Sequence, residues 1–525
     1  MFVLNNKIKN IKGLWISDLG DGFYKNPVLY ADYSDPDVIR VGKDFYMVAS
    51  SFTYIPGIPL LHSKDLVNWK VVNYIFDSIP LDVYQKPQHG NGSWAPSIRY
   101  HNKKYWVFFS TPDEGIFMSS AEDPLGVWSP LVCIKEVKGW IDPCPFWDED
   151  GKAYLVHAFA NSRCGIKSKL HINKMRPDGT KLLDNGTLVF DGIVSHPTIE
   201  GPKMYKRNGY YYIFAPAGGV KSGFQTILRA KNIYGPYEDK IVLHQGNTEI
   251  NGPHQGGFVE LESCESWFIH FQDCNEYGRV VHLQPVKWVE DWPLMGEDIN
   301  GDGIGEPVSK YKKPNVGESY PIEVPETSDE FDGEKLGLQW QWQANPKSEW
   351  YSLTENPGHL RLFSKSIETI YSNTLYNSSN LLSQLIQAPE FNATVKLTLM
   401  SNNKGDRAGL VIMGHHYSYI SISKGDNGYV VAQTIGVAKE GEVSEYIVEN
   451  KNVEVNTIYF RVKVGNAMKC MFSYSFDGEE FEELGSCFRG SDGHWVGAKI
   501  GIFNLNLTEE ISNGYADFHW IRFSK

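Results

Sequence analysis

The sequence lacks any long apolar run: its hydrophobic stretches have the length of a β-strand, well short of the roughly 20 residues that cross a bilayer. The segment from Met1 to Lys7 does not show the basic region and apolar stretch of a secretory signal peptide. Lys and Arg are scattered without a basic stripe, and the net charge is −13. We therefore expect neither a membrane nor a nucleic acid as a partner.

Cysteine is also scarce in this chain. The seven cysteines are odd in number, and no two of them form a Cys-x-x-Cys pair. This pattern argues against a disulfide framework and against a zinc site, and it favours a reducing compartment. The sequence therefore predicts a cytoplasmic location.

Helical periodicity is nowhere sustained over more than two turns, whereas aromatic residues make up 14% of the chain. Flat aromatic side chains pack well on the pleated surface of a sheet, and their ring faces also suit the apolar faces of sugars. At 525 residues the chain is too long for a single hydrophobic core. These features predict an all-β protein with two or more domains.

A repeat organises the first three hundred residues. Five segments share a polar or charged residue beside a proline, then an apolar alternation, a turn and an aromatic strand. The shared prolines lie 60, 47, 59 and 51 residues apart, at Pro36, Pro96, Pro143, Pro202 and Pro253. A period of roughly 50 residues made of short strands is typical of a β-propeller blade. We therefore predict a five-bladed propeller over residues 1–322.

The repeat stops near residue 295, and a connector rich in proline and lysine follows it. Beyond the connector come many short alternating strands separated by Asn and Gly turns. This pattern predicts a β-sandwich of jelly-roll type over residues 323–525, packed on the propeller.

Three acids recur at nearly the same place in the repeat. Asp35, Asp142 and Glu200 belong to blades one, three and four, and each precedes the shared proline by one or two residues. Equivalent positions of successive blades surround the central channel, so we expect the three carboxylates to converge at one mouth. An acid before a proline is otherwise an ordinary turn residue. Three in register favour glycosidic cleavage, which needs a proton donor and a carboxylate that activates water or attacks the sugar.

These segments resemble the signature blocks of glycoside hydrolase family 43, which contains β-xylosidases, α-L-arabinofuranosidases and arabinanases. The blocks occur in the family's order with all three acids present. Two segments of the second half resemble the concanavalin-like domain that accompanies the exo-acting xylosidases of the family. The matching residues are 33–40, 94–96, 140–154 and 199–212 in the first half, and 388–391 and 407–414 in the second.

The resemblance implies a role for each acid. Asp35 takes the place of the general base, Glu200 that of the general acid, and Asp142 that of the acid that tunes and orients Glu200. The family inverts configuration, so the base and the acid are expected ~6.5–9.5 Å apart to leave room for a water molecule. This chemistry requires no cofactor.

The resemblance also implies four residues of the sugar pocket. Arg279 matches the arginine that clamps the hydroxyls of the terminal sugar. The aromatic residues Phe52, Trp94 and Trp140 fall where the family lines its pocket. Each of these four has an ordinary structural alternative, in the blade core for the rings and in a salt bridge for the arginine.

His254 opens the fifth blade at the level of the acids. In many family members a histidine at this place lies on the propeller axis, beside a hydrated calcium ion or a water. The resemblance therefore implies a structural calcium ion near the axis. Its contact with His254 is expected to run through water, because Ca²⁺ prefers six to eight oxygen ligands and histidine supplies none.

We expect exo action because of the second domain. A propeller alone has an open groove, and a sandwich packed on its face can close one end. Trp495, beside His494 in the Gly-rich loop that begins at Arg489, is our candidate for this wall.

The sequence thus predicts an exo-acting, inverting glycoside hydrolase that releases terminal β-D-xylose, α-L-arabinofuranose or both from hemicellulose-derived xylo- or arabino-oligosaccharides. One alternative is a dedicated α-L-arabinofuranosidase, because the two pentoses present similarly placed hydroxyls. Another is a non-catalytic carbohydrate-binding protein, which would require that one acid be missing. The sequence also leaves a homo-oligomer open.

Overall fold

We describe the fold from a computed structural model, which covers residues 13–366, 374–506 and 512–525. Over these residues the chain is almost entirely β-structure. The one α-helix within the described ranges, α1, is Asn161–Cys164, and the short 3-10 helices there are Asp82–Gln85, Asn275–Tyr277, Ser348–Trp350, Leu375–Asn377 and Asn466–Met468. Within the described ranges, no helix has the length and apolar character needed to span a membrane.

Five four-stranded antiparallel sheets follow one another along the chain after the short strand β1 (Phe23–Lys25). Each sheet is built from four consecutive strands, so each is one blade of the predicted propeller. The blades are β2–β5 (Asp37–Val41, Asp44–Val48, Gly57–Ser63, Trp69–Phe76), β6–β9 (Trp94–His101, Lys104–Thr111, Gly115–Ala121, Val132–Glu136), β10–β13 (Trp140–Trp147, Ala153–Phe159, Lys169–Met175, Thr187–Asp191), β14–β17 (Lys203–Arg207, Tyr210–Ala217, Phe224–Ala230, Glu238–Leu243) and β18–β21 (His254–Glu260, Ser266–Asp273, Arg279–Val289, Trp292–Met295).

The ring of blades closes at its ends. Strand β22 (Lys310–Lys312) returns from beyond the fifth blade to pair with β1. Leu29, before the first blade, exchanges backbone hydrogen bonds with Val281 of the fifth. Separate apolar clusters fill the spaces between adjacent blades. Each fully buried Val, Leu or Phe in them contributes roughly 1.5–3 kcal/mol, so the blades are held together mainly by apolar burial.

The remaining strands form two sheets stacked face to face, the predicted β-sandwich. One sheet has β23 (Gln341–Trp342), β26 (Lys365–Ser366), β27 (Leu382–Leu385), β29 (Asp406–Met413), β30 (His416–Lys424), β31 (Tyr429–Lys439), β32 (Glu442–Val453) and β37 (Lys499–Asn506). The other has β24 (Tyr351–Ser352), β25 (Leu360–Phe363), β28 (Phe391–Met400), β33 (Thr457–Gly465), β34 (Lys469–Ser475), β35 (Glu482–Glu483), β36 (Phe488–Arg489) and β38 (Tyr515–Ser524).

The alternation seen in the sequence sets the inner face of the sandwich. Along β28 every second residue is buried, as a strand with one face on a core requires. The buried residues of both sheets join in one large apolar cluster. The second domain therefore has a core of its own and can present loops rigidly.

The sandwich is fastened to the propeller by backbone pairing. Ile55 of the first blade and Trp342 of the sandwich exchange two hydrogen bonds, with N···O distances of 2.9 and 2.6 Å. The side chain of Asn345 brackets the backbone of Ile79, accepting from its N–H at 2.9 Å and donating to its carbonyl at 2.8 Å. These bonds hold the sandwich beside the first and second blades.

Candidate active site

A repeated left-handed residue precedes or interrupts the innermost strand of every blade. Its φ is 54° at Asp35, 39° at Ala95, 57° at Asp142, 57° at Gly201 and 41° at Gln255. The pairing register shifts at this point in the second, third and fifth blades, which marks a β-bulge. Bulges re-aim side chains, and non-glycine residues in this region are strained and cluster at functional sites.

This register refines the predicted repeat. Asp35 and Asp142 occupy the left-handed position itself, whereas Glu200 lies one residue before it and shares its place with His254. In the fifth blade, Gly256 follows the left-handed residue where the other blades have proline. The assignment of Pro253 to the repeat was therefore wrong by three residues. The glycine is required there, because a Cβ at Gly256 would lie 1.7 Å from the carbonyl oxygen of Ile269.

Asp35 is buried and surrounded by donors. One carboxylate oxygen accepts hydrogen bonds from Ser34 Oγ at 2.8 Å and from Ser50 Oγ at 2.6 Å. Arg279 Nη1 lies 3.2 Å from the other oxygen and donates to Ser34 Oγ at 2.6 Å. Three polar contacts thus fix the orientation of this carboxylate.

Asp142 is also buried, and it is linked to the strand that carries Glu200. Its carboxylate accepts the backbone N–H of Gly201 at 2.8 Å. Burial holds the pKa of Asp142 well above its usual range, and the carboxylates of Glu200 and Asp35 add to this shift. The three acids predicted from separate blades therefore lie close enough to interact electrostatically.

Glu200 has the most accessible carboxylate of the three. Its side chain is 32% exposed, against 9% for Asp35, and Oε1 lies 3.3 Å from His254 Nε2. A group that delivers a proton to a substrate must be reachable from the pocket, whereas a group that holds a water can be recessed. The geometry thus suits Glu200 as the proton donor and Asp35 as the base.

Aromatic rings from both domains meet beside the acids. Phe52 and Trp495 each lie edge to face against Trp94, with ring centroids 6.3 Å apart in both pairs. The guanidinium of Arg279 lies 6.0 Å from the centroid of the Trp495 ring. The structure therefore brings together the sugar-pocket candidates Phe52, Trp94, Arg279 and Trp495.

Trp140 is placed differently. Its ring stacks on His157 of the same blade, with centroids 4.1 Å apart, and meets Phe159 edge to face at 6.1 Å. Among the described residues, none of its ring contacts reaches Phe52, Trp94 or Trp495. A pocket role for Trp140 stays a prediction that these contacts do not support.

The expected calcium site was tested against the side chains near the axis. His254 is buried, and its Nε2 lies 3.3 Å from Glu200 Oε1. Among the described residues no contact of either ring nitrogen has hydrogen-bond geometry, so the ring has capacity to bind a water. Within the described ranges, however, no group of three or more His, Cys, Asp or Glu side chains is arranged to hold a metal ion. These donors fit an ion held through water, and a structural calcium ion stays a prediction.

Several residues of the site were missed from the sequence. Ser34 and Ser50 give no signal beyond being small and polar. Lys203 is completely buried; its ammonium donates to the carbonyl of Pro96 at 2.8 Å and to Ser97 Oγ at 2.7 Å, and its charge partly offsets the raised pKa of Asp142. In the sequence, Lys203 follows Glu-Gly-Pro and has no feature that distinguishes it from the first residue of an ordinary strand.

Arg163 was also missed, because helix α1 is only one turn long. Its guanidinium donates to Asn91 Oδ1 at 2.8 Å and to Asp113 Oδ2 at 3.1 Å, and lies 5.7 Å from the centroid of the Trp94 ring. It therefore braces one side of the aromatic group.

Comparison with known proteins places this site in a family. Residues 24–293 match the family model "Glycosyl hydrolases family 43". Residues 328–524 match "Beta xylosidase C-terminal Concanavalin A-like domain". Both matches agree with the propeller and the sandwich described above.

Similar proteins cover nearly the whole chain. A curated protein of Xylanibacter ruminicola is 41% identical over 498 residues, which span 93% of this chain and 88% of that protein. The "Beta-xylosidase" of Formosa agariphila is 33% identical over 558 residues, spanning 97% of this chain and 92% of that protein. The crystal structure of the GH43 protein BlXynB from Bacillus licheniformis, 26% identical, superimposes with a TM-score of 0.81 over 95% of this chain and 99% of that chain.

A family match to more than half of the chain, relatives of similar length and three carboxylates at nearly equivalent places of three blades all agree. The chain is a glycoside hydrolase and belongs to glycosyl hydrolases family 43.

Proposed function

We propose that this enzyme is an exo-acting, inverting glycoside hydrolase that releases terminal pentose, chiefly β-D-xylose, from hemicellulose-derived oligosaccharides. The sugar preference is supported by the relative named beta-xylosidase and by the family description of the second domain. The chemistry is supported by one observation above all: three carboxylates lie close enough to interact electrostatically but differ in exposure and partners.

The proposed reaction is a single displacement. Asp35 removes a proton from a water molecule as the water oxygen attacks the anomeric carbon. The bond from that carbon to the departing oxygen breaks, and Glu200 transfers its proton to this oxygen. Asp142 accepts the backbone N–H of Gly201 and thereby orients the segment that carries Glu200.

The exo mode rests on the second domain. Trp495 reaches across from the sandwich to Trp94, so the rings form a wall against which a terminal sugar can lie. Arg279 lies between this wall and Asp35, within reach of both. A sugar hydroxyl placed there would meet a charged donor, which makes Arg279 the proposed clamp.

Rates on two aryl glycosides test the proposal. We expect the wild-type chain to hydrolyse p-nitrophenyl β-D-xyloside faster than p-nitrophenyl α-L-arabinofuranoside, and Asp35→Asn to be inactive on both. Activity confined to the arabinofuranoside would establish the dedicated arabinofuranosidase instead. A folded wild type that binds xylo-oligosaccharides but cleaves neither substrate would indicate a carbohydrate-binding protein.

A further inference from the structure

Asp32 lies three residues before Asp35 and has no part in the reaction proposed above. It is buried, and its two carboxylate oxygens accept hydrogen bonds from two different domains. One oxygen accepts the backbone N–H of Arg279 in the propeller at 2.8 Å. The other accepts the backbone N–H of Gly497 in the sandwich at 2.8 Å.

The two backbones that meet at Asp32 both lead to the sugar pocket. Arg279 contacts Asp35 through its own side chain, at 3.2 Å. Gly497 follows Trp495 by two residues, so the N–H that Asp32 holds belongs to the loop that carries the tryptophan. A single carboxylate thus joins the backbone of Arg279 to the loop that carries Trp495.

The packing around this carboxylate leaves little freedom. A Cβ at Gly278 would lie 2.4 Å from Asp32 Cγ, and a Cβ at Gly497 would lie 2.5 Å from the backbone nitrogen of Gly278. The next residue, Ala498, donates its N–H to the carbonyl of Glu276 at 2.8 Å. The loop from the sandwich therefore lies directly on the segment before Arg279, with two glycines permitting the contact.

Burying a carboxylate at this place has an electrostatic cost, and its surroundings offset it only in part. Two backbone donors and the nearby buried cation Lys499 favour its charge, yet burial still raises the pKa of Asp32. If this position served packing alone, an apolar residue would fill it without that electrostatic cost. Asp32 supplies two oriented hydrogen-bond acceptors at this position, which an apolar residue cannot supply.

We propose that Asp32 is a positioning residue that fixes the Trp495 loop of the sandwich against the strand of Arg279, so that the pocket is assembled across the domain boundary. This inference rests on the proposed function, because its effect is exerted on substrate binding at that site. It assigns the second domain a direct part in the geometry of the pocket.

The test uses Asp32→Asn in the full chain. The amide keeps the shape of the side chain but replaces one acceptor by a donor, so one backbone N–H loses its partner. We expect kcat/KM on p-nitrophenyl β-D-xyloside to fall about 10- to 100-fold, mainly through KM, because misplacement of a positioning group by about 1 Å costs up to this much. Amide hydrogen exchange should also rise in residues 490–498.

Asp329→Asn is the matched control. The Asp329 side chain accepts hydrogen bonds from the N–H of Phe331 at 2.8 Å, from Trp340 Nε1 at 2.8 Å and from Gln339 Nε2 at 3.2 Å. All three donors belong to the sandwich domain. We expect this variant to lose stability while keeping its kcat/KM. Asp32→Asn combined with Trp495→Ala should lose little more than the more impaired of the two single variants, since both changes affect the same wall.

Two results would overturn the inference: unchanged kinetics and exchange in a folded Asp32→Asn variant, or losses that multiply fully in the double variant. Failure of the proposed function is separable from these. It would show as a wild type without pentosidase activity, while the exchange difference in residues 490–498 would still report whether Asp32 holds the loop.

Discussion

The indole of Trp495, from the sandwich, meets the indole of Trp94, from the propeller, edge to face with ring centroids 6.3 Å apart. Trp495 is 47% exposed and has a left-handed φ of 66°. Its ring therefore lies outside the core of the sandwich. Two domains that fold around separate cores therefore bring one ring each to the same place.

Replacement of this ring tests that arrangement. We expect Trp495→Ala to keep the melting temperature of the wild type while KM on short xylo-oligosaccharides rises about tenfold, since loss of one aromatic face costs about 1 kcal/mol or more. Tyr446→Ala removes another exposed ring of the sandwich, remote from the pocket, and should change neither quantity. Unchanged kinetics for a folded Trp495→Ala would make the second domain only a structural support.

Glu200 and Asp35 should differ in their dependence on the leaving group. We expect Glu200→Gln to slow natural xylosides by roughly 10²–10⁴, because the departing oxygen then leaves without a proton. Substrates with acidic phenol leaving groups should be slowed much less. Asp35→Asn should abolish both reactions, since water must be activated whatever departs. Equal losses on both substrate classes for Glu200→Gln would contradict its role as the acid.

The stereochemistry of the first product checks the displacement independently. Proton NMR during early hydrolysis of a β-xyloside should show α-xylose before mutarotation sets in, because water attacks from the face opposite the leaving group. Initial β-xylose would mean a covalent intermediate, with carboxyl groups about 5 Å apart.

Much of this architecture was predictable because local rules repeat. In four blades a proline follows the left-handed residue, so the repeat can be read from the sequence alone. The fifth blade has Gly256 at this position, because the carbonyl of Ile269 leaves no room for a side chain. The nearby Pro253 was therefore aligned with the repeat in error. The acids were found because their positions follow the repeat.

Contacts that depend on the meeting of the two domains could not be predicted. Asp32 and Gly497 are 465 residues apart in the chain, and neither belongs to a sequence pattern that would predict a contact with the other. Lys203 is a long-range case within the propeller: it begins the fourth blade, whereas its partners Pro96 and Ser97 belong to the second blade. For Trp140 the family resemblance suggested the pocket; its ring stacks on His157 of the same blade, and the pocket role stays a prediction.

The raised pKa of Asp142 predicts a dependence of stability on pH. The folded state holds this proton more tightly than the unfolded state, so the associated stability is full below the ordinary aspartate pKa and is lost as pH rises through the raised value. Asp142→Asn mimics the protonated form and still accepts from Gly201. We expect this variant to melt above the wild type at pH 7 and at nearly the same temperature at pH 4, while activity is lost. A melting difference that does not change with pH would contradict the assignment.

Lys499 should produce the opposite slope at alkaline pH. Burial lowers the pKa of its ammonium to about 8, although Asp32 opposes the shift, whereas the unfolded chain binds this proton up to its ordinary value of 10.5. Between these values the unfolded state holds more protons, so the free energy of unfolding rises with pH and falls again as pH drops through 8.

Each unit of pKa corresponds to about 1.4 kcal/mol, so the charged ammonium costs the folded state roughly 3 kcal/mol near neutral pH. Lys499→Met keeps the length of the side chain and its contact with the ring of Tyr54, over which the ammonium now lies at 4.1 Å. Guanidinium unfolding of both proteins at pH 7 and pH 9.5 should show wild type gaining on the variant by about 1–2 kcal/mol as pH rises through this window. A constant difference would mean that the pKa of Lys499 is ordinary, with enough water around its ammonium to cancel the effect of burial.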